Sequence, residues 1–403
     1  MRVKIHRGTH KIGGTICEIK TAQARIIIDV GSDLPSIDRL EIDAFEVEGV
    51  TKGEPNCDAV LVTHYHGDHI GMFEKVLPEV PIYMGDTAKQ IFLRLQEVLK
   101  EKIDKGNPVL VNKFKTFVAG KSFLIKDIKI TPLCVDHSAF DAYAFLIEAE
   151  GKRILHTGDF RMHGAKGRKM LPMLEKYANN IDLLICEGSM LSRATEKVMT
   201  EYEVGAKAEE LMRQQKKIFV LASSTNIDRI AMFYNAAVRL KKPFIVCDQY
   251  QADILKIITQ NSRSSFYNFT RIKPYVYGKN LHKFMRDEGF CFMARINSVS
   301  KQAINTFADN LLIYSMWGGY LEKRRSCFDK RTFDFIEYAK VAGSEFELLH
   351  TSGHATIEDI IGLCKVTKPK KIIPIHSEKP ENFETLGIDS QIIVLHDGEE
   401  ISV

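Results

Sequence analysis

The stretch VTHYHGDHIG, Val62–Gly71, places His64, His66, Asp68 and His69 within six positions, directly behind the apolar run at residues 59–62. A loop at a strand end is where binding and catalytic groups gather in sheet proteins. Imidazoles and a carboxylate are donors that suit Zn²⁺, and Mn²⁺ accepts them too. Side chains this close cannot all turn toward one ion without strain, whereas two adjacent ions could share them. Further donors are needed, and they follow later apolar strands: His137 in LCVDHSAFDAY, Asp159 in ILHTGDF and His376 in IIPIHSE. A carboxylate can bridge two ions while an open position keeps water, and Asp159 is the expected bridge. Asp29 in IIIDVG is suited to orient a ligating histidine from behind. A plain turn aspartate would read the same way.

The rest of the chain is that of an ordinary globular protein. Its 403 residues exceed a typical single domain, and 45% are apolar and 27% charged. The N-terminal MRVKIHRGTHKIGG has no continuous apolar stretch, and no segment approaches the roughly 20 apolar residues of a membrane span. A cytoplasmic protein without membrane contact is expected. The eight cysteines are scattered singly, without a CxxC pair, and several lie in apolar runs as small core residues. A net charge of +4 does not by itself indicate nucleic acid. Lysine and arginine interleaved with Phe and Tyr do concentrate between residues 261 and 345, a pattern that fits a phosphate-attracting face as well as a solvated one.

Periodicity divides the chain. Short strands fill the first third (RVKIH, GTICEI, ARIIIDVG, DAVLVTH). The helical DTAKQIFLRLQEVLKEKI follows, with its leading Asp86 placed to cap it. KSFLIKDIKITPL, YAFLIEAEGKRILHTGDF and DLLICEGS read as strands, with a hairpin through EAEGKR. From about Thr195, helices alternate with the short apolar runs KIFVLAS, PFIVCD and NLLIYSMW, as in a wound sheet covered on its faces. FELLHTSGH, TIEDIIGLCKV, KKIIPIH and QIIVLHDGEEISV return to strand and helix. A first domain interrupted by a second is inferred.

IIIDVG, THYHGDH, DHSAFDAY and HTGDF resemble the successive motifs of the metallo-β-lactamase fold. CEGS with Glu187, HTSGHA with His354 and PIHSE with His376 resemble the further motifs of its β-CASP nucleases, ribonuclease J above all, over nearly the whole chain. That resemblance implies an α/β protein: an αββα sandwich of residues 1–194 and 344–403, with a β-CASP α/β domain inserted at 195–343. It also implies two zinc ions per chain. His64, His66 and His137 would hold one, Asp68, His69 and His376 the other, with Asp159 between them. The implied activity is that of a metal-dependent ribonuclease, 5′-to-3′ exonuclease with endonuclease action as a second mode. Single-stranded RNA with a 5′-monophosphate would lie in the cleft between the two domains. Ribonuclease J carries a further C-terminal oligomerisation domain and this chain stops after HDGEEISV, so monomer and dimer both stay open.

The chemistry assigns roles. His354, with Glu187 setting its protonation, is a candidate proton donor to a departing 3′ oxygen, or else grips phosphate; Asp68 could take the nucleophile's proton. Glu187 could equally cap a helix. Ser352 and the Gly353 backbone could donate to the same phosphate, or only make a turn. In LASSTNIDR, Ser223, Ser224, Thr225 and Asn226 stand between strand and helix as a phosphate cradle, or as a helix cap. Arg229 would join them if its helix face allows. Trp317 and Tyr320 could stack bases, or fill a turn. A DNA nuclease of the same fold and a catalytically silent nucleic-acid-binding paralogue are the alternatives.

Overall fold

A computed structural model of the protein describes residues 1–34, 45–193, 196–276, 278–325 and 327–403. The described chain forms two compact units, residues 1–34, 45–197 and 353–403 in the first and residues 198–352 in the second. The break expected at Thr195 lies outside the described residues. The return was expected after residue 343. The strand Glu345–Leu348 instead pairs in parallel with Leu311–Tyr314, which keeps the chain in the second unit through Ser352.

The first unit is built on two seven-stranded sheets. One runs Glu400–Ser402, Arg2–Arg7, Ile16–Lys20, Arg25–Ile28, Ala59–Leu61, Ile82–Gly85, Lys115–Phe117. The other runs Gln391–Ile392, Lys371–Ile375, Leu183–Glu187, Lys152–His156, Tyr143–Ala149, Ile128–Cys134, Phe123–Ile125. Ile5, Ile19, Ile26 and Leu61 of the first sheet share one buried cluster with Phe145, Ile154, Ile185 and Ile373 of the second, so the sheets pack face to face. The alternate residues Leu155, Leu184, Cys186 and Ile372 point the other way, onto the helices Met170–Tyr177 and Ile357–Thr367. Strands buried on both faces explain why LLIC and KIIPI read as unbroken apolar runs. The helix Asp86–Ile103 packs against Ile82–Gly85. Its cap position is Gly85, and Asp86 is its first helical residue; a free N–H at this end, that of Ala88, is taken by Asp141 Oδ2 at 3.0 Å. The cap therefore comes from a distant segment, which local sequence does not reveal.

The second unit holds a six-stranded parallel sheet in the order Ile272–Pro274, Phe244–Val246, Phe290–Ala294, Lys217–Leu221, Leu311–Tyr314, Glu345–Leu348. Helices Ile227–Arg239, Gln249–Asn261, Ser298–Thr306 and Lys330–Val341 connect its strands. Parallel strands joined by helices place their carboxyl ends along one edge, where ligands bind in open α/β sheets. Arg229 lies fully buried in this unit. Its guanidinium meets Glu201 at 2.9 and 3.0 Å and donates to Ser315 O at 2.9 Å and Thr351 O at 3.1 Å. It is thus committed to the interior and does not face the Ser223–Asn226 loop. Among the described residues no helix is long and apolar enough to cross a membrane.

Two stability predictions follow from buried charge. Arg229→Met strands the Glu201 carboxylate and should cost about 3–5 kcal/mol, while Glu201→Gln with Arg229→Met should cost less than Arg229→Met alone; urea unfolding measures both. Glu18 is mostly buried, which opposes its charge, yet hydrogen bonds from His6 Nε2 at 2.8 Å and Arg25 Nη2 at 2.7 Å hold its carboxyl at about 2. A carboxyl lowered in the folded state stabilises fully above its ordinary value of 4.5 and loses that contribution as pH falls to about 2. Glu18→Gln should remove roughly 2 kcal/mol of the stability lost over that window, read from melting temperatures across it.

Candidate metal centre

Three neighbouring strands of the second sheet, Lys152–His156, Leu183–Glu187 and Lys371–Ile375, run parallel, with His156 opposite Ile185 and Glu187 opposite Ile375. The residues at and just beyond their carboxyl ends, Asp159, Glu187 and His376, therefore reach one edge together. The loop after Ala59–Leu61 brings His64, His66, Asp68 and His69 to the same place, and the loop after Ile128–Cys134 brings His137. His376 adopts the left-handed backbone conformation, with φ +50°, and its N–H donates to Gly8 O at 2.7 Å. Asp29, at φ +63°, does the same at the end of its own strand. Such conformations cost of order 1–3 kcal/mol each and persist where surrounding contacts impose them.

One group of donors is His64, His66 and His137. His66 Nδ1 lies 3.0 Å from His64 Nε2 and 3.2 Å from His137 Nε2. Two nitrogens bonded at about 2.0–2.1 Å to one tetrahedral zinc stand about 3.3 Å apart, so the spacing is that of ligands around a common ion. The far edges of two of these rings are held, with His64 Nδ1 3.1 Å from Thr63 Oγ1. His137 Nδ1 donates to Gly353 O at 2.8 Å, which leaves Nε2 with its lone pair turned inward. Burial, reinforced by the neighbouring imidazoles, pushes His64 well below the usual histidine range; burial does the same to His137 and lowers His66. The shifts favour the neutral form, which is the ligating one.

The second group is Asp68, His69, Asp159 and His376, whose donor atoms all lie within 4.8 Å of one another. Asp159 Oδ2 stands 3.2 Å from His69 Nε2 and 4.0 Å from His64 Nε2, and its Oδ1 stands 3.0 Å from His376 Nδ1. Asp159 therefore adjoins both groups. His69 Nδ1 faces Asp29 Oδ2 at 2.7 Å, and Asp29 also accepts from Thr63 N and Thr63 Oγ1 at 2.7 and 2.8 Å. Among the described residues, His69 Nε2, Asp159 Oδ1 and both ring nitrogens of His376 are buried without a well-directed hydrogen bond, their nearest polar neighbours being one another. An unpaired buried polar atom costs about 1–3 kcal/mol, and several facing one point are the chemistry of a cation site. Burial opposes charge on His69, but Asp159, Asp29 and Asp68 raise it well above the usual range; burial likewise opposes charge on Asp159, but His376 and His69 hold it far below. A cation entering this group displaces the His69 proton.

Asp159, Glu187 and His354 form a third group that shares Asp159. His354 Nδ1 lies 3.2 Å from Glu187 Oε2 and 3.6 Å from Asp159 Oδ2. Burial disfavours its charge, yet Glu187 and Asp159 raise it to about 9. Glu187 accepts from the backbone N–H of Phe160, Ser189 and Ala355 at 3.0–3.3 Å, and the helix Ile357–Thr367 is capped by Thr356 instead. Glu187 is thus no helix cap.

The other expected residues fall elsewhere. Gly353 reaches the site through its carbonyl, as the acceptor for His137; Ser352 belongs to the second unit. Asn226 caps the helix Ile227–Arg239 by accepting from Arg229 N at 3.2 Å, Ser223 and Thr225 pair with each other at 3.0 Å, and Ser224 accepts from Gln251 Nε2 at 3.2 Å. Trp317 packs edge-on against Tyr320, with the Arg325 guanidinium 5.1 Å over its ring. Sequence reasoning missed the groups that hold the ligands. Asp136 and Arg161, both fully buried, pair at 3.1 Å and fix the residue before His137. Arg7 donates to Gly14 O at 2.8 Å and to Gly31 O. Gly31 leaves no room for a side chain, because a Cβ would lie 1.7 Å from the Asp68 carbonyl oxygen. The adjacency of Asp136 to His137 and of Thr63 to His64 was the available signal.

Residues 24–221 match the model of the beta-lactamase superfamily domain, and residues 339–386 match that of the Zn-dependent metallo-hydrolase RNA specificity domain. The chain belongs to the metallo-β-lactamase superfamily. Proteins named ribonuclease J match it over nearly its whole length. It is 22% identical to ribonuclease J of Helicobacter pylori (strain ATCC 700392 / 26695) across 98% of this chain and 60% of that protein. It is 24% identical to ribonuclease J of Mycoplasma genitalium across 92% and 67%. The chain thus spans about 60% of the length of the Helicobacter relative. A crystal structure of a protein of unknown function from Enterococcus faecalis V583 shares the fold, with a TM-score of 0.77, 20% identity and 99% of both chains covered. The Zn-dependent metallo-hydrolase match and the donor set agree on metal binding.

Asp29→Asn replaces the acceptor for His69 Nδ1 without touching a donor atom. Metal affinity should fall about 10–100-fold. Competition with a chromophoric zinc chelator measures this, with circular dichroism confirming an unchanged fold.

Proposed function

We propose that the chain is a metal-dependent ribonuclease that hydrolyses RNA phosphodiesters at a two-zinc centre. One ion is assigned to His64, His66 and His137, the other to Asp68, His69 and His376, with Asp159 between them. The observation that carries this reading is the convergence of seven donors in two groups that share one carboxylate. RNA as the substrate is supported by the RNA specificity match, which includes His354 and His376, and by the ribonuclease J relatives.

These residues would hold two zinc ions, whose chemistry when bound would be to supply a hydroxide near neutral pH and to offset the charge of the phosphodiester. The chain's own groups do the rest. Asp68, partly exposed beside His69 and His376, accepts the proton of the attacking water. Glu187, fixed by three backbone N–H groups, holds the proton on His354 Nδ1, which leaves Nε2 to donate to the departing 3′ oxygen. Mn²⁺ would serve the same donors. The preferred substrate is single-stranded RNA with a 5′-monophosphate, degraded from that end.

The test is metal-reconstituted protein incubated with end-labelled 5′-monophosphate, 5′-triphosphate and circular RNA beside matched DNA, with products resolved by length. Short products from the monophosphate RNA and intact circles are expected. Asp68→Ala with His69→Ala should lower the rate at least about a thousandfold. Full activity in that double variant overturns the assignment, and equal cleavage of DNA makes the chain a general nuclease.

A further inference from the structure

Between the end of the helix Ile227–Arg239 and the edge strand Ile272–Pro274, the second unit has a cleft of about 380 Å³. Lys241, Lys242, Arg271 and Lys273 line it, together with Phe284 from the helix Lys279–Glu288. No acid is among its lining residues. Lys241, Arg271 and Lys273 are exposed, and none has an acidic partner among the described residues. Lys242 differs, since its Nζ donates to Gln215 O at 2.7 Å and so supports the backbone. Phe284 is 40% exposed, with Lys273 Nζ 5.5 Å from its ring centre.

Two ordinary causes account for part of this. A helix C-terminus favours one nearby cation, which explains Lys241, and an edge strand carries lysine to block pairing, which explains Lys273. Neither explains why three cations from two segments, none paired with an acid among the described residues, surround one concavity, nor why an aromatic ring stands exposed among them. Lys241 is held there in the left-handed conformation, at φ +56°. Cations spaced along a groove beside an aromatic face are the chemistry that binds single-stranded nucleic acid, phosphates on the cations and a base on the ring.

We propose that this cleft binds a single-stranded segment of the nucleic acid, as a site distinct from the metal centre, whose donors all belong to the first unit. The proposal rests on the nucleic-acid reading above and adds a second contact to it. Contacts to phosphate and ring face alone make the site indifferent to base sequence and to the 2′-hydroxyl.

Binding is measured in chelator, where no cleavage occurs, by the anisotropy of fluorescent single-stranded RNA and DNA of roughly 20 nucleotides across a salt series. Lys241→Ala with Arg271→Ala and Lys273→Ala should weaken binding and lower the slope of log affinity against log salt by about 2. Phe284→Ala should weaken binding about tenfold with the slope unchanged. Both oligonucleotides should respond alike. An unchanged slope and affinity in the triple variant overturns the proposal, as does competition by UTP as effective, molecule for molecule, as the oligonucleotide, which would mark a pocket for a small phosphorylated ligand. Absence of cleavage by the unsubstituted, metal-loaded protein, with these binding changes still seen, would sink the ribonuclease reading and leave this one standing.

Discussion

The constraint on which the first unit is organised is that buried imidazoles and carboxylates are crowded around one point, where the protein's own hydrogen bonds satisfy them only in part. His69 Nε2, Asp159 Oδ1 and both nitrogens of His376 are in that condition. Each costs folding free energy, and left alone the rings would rotate to find partners. They are prevented from doing so by what lies behind them: Asp29 on His69, the Gly353 carbonyl on His137, Thr63 on Asp29. The fold supplies rigidity at the point where the site is least stable by itself.

That rigidity comes from segments far apart in the chain. Parallel pairing of Leu183–Glu187 with Lys371–Ile375 sets Glu187 beside Ile375, so that residues 187 and 376 become neighbours. A buried pair between Asp136 and Arg161 fixes the loop that delivers His137. Asp159 then stands where His64, His69, His354 and His376 can all reach it. A single carboxylate held among four imidazoles stays ionised, and its charge is felt on every side.

Much of this was legible in the residue order because strand ends carry chemistry and strands carry period. The donors were found by their position after apolar runs, and the helix Asp86–Ile103 and the hairpin through residues 149–152 by their patterns. What was not legible came from non-local partners. Asp141 caps a helix more than fifty residues earlier, Glu345–Leu348 joins a sheet that its sequence does not announce, and Gly353 serves through its carbonyl rather than its N–H. Arg229 reads as a candidate phosphate ligand because a strand-to-helix loop precedes it, yet its guanidinium is fully occupied by Glu201, Ser315 and Thr351. Periodicity reports which face a side chain takes, but not which distant group waits there.

Gly31 touches no donor atom and carries no side chain, but the Asp68 carbonyl occupies the space where one would be. Its permitted alphabet has a single letter, as strict as that of any histidine in the cluster. A designer transplanting the donor set to another scaffold would have to carry this empty position along with it, and mutational drift that spares every ligand could still inactivate the protein there.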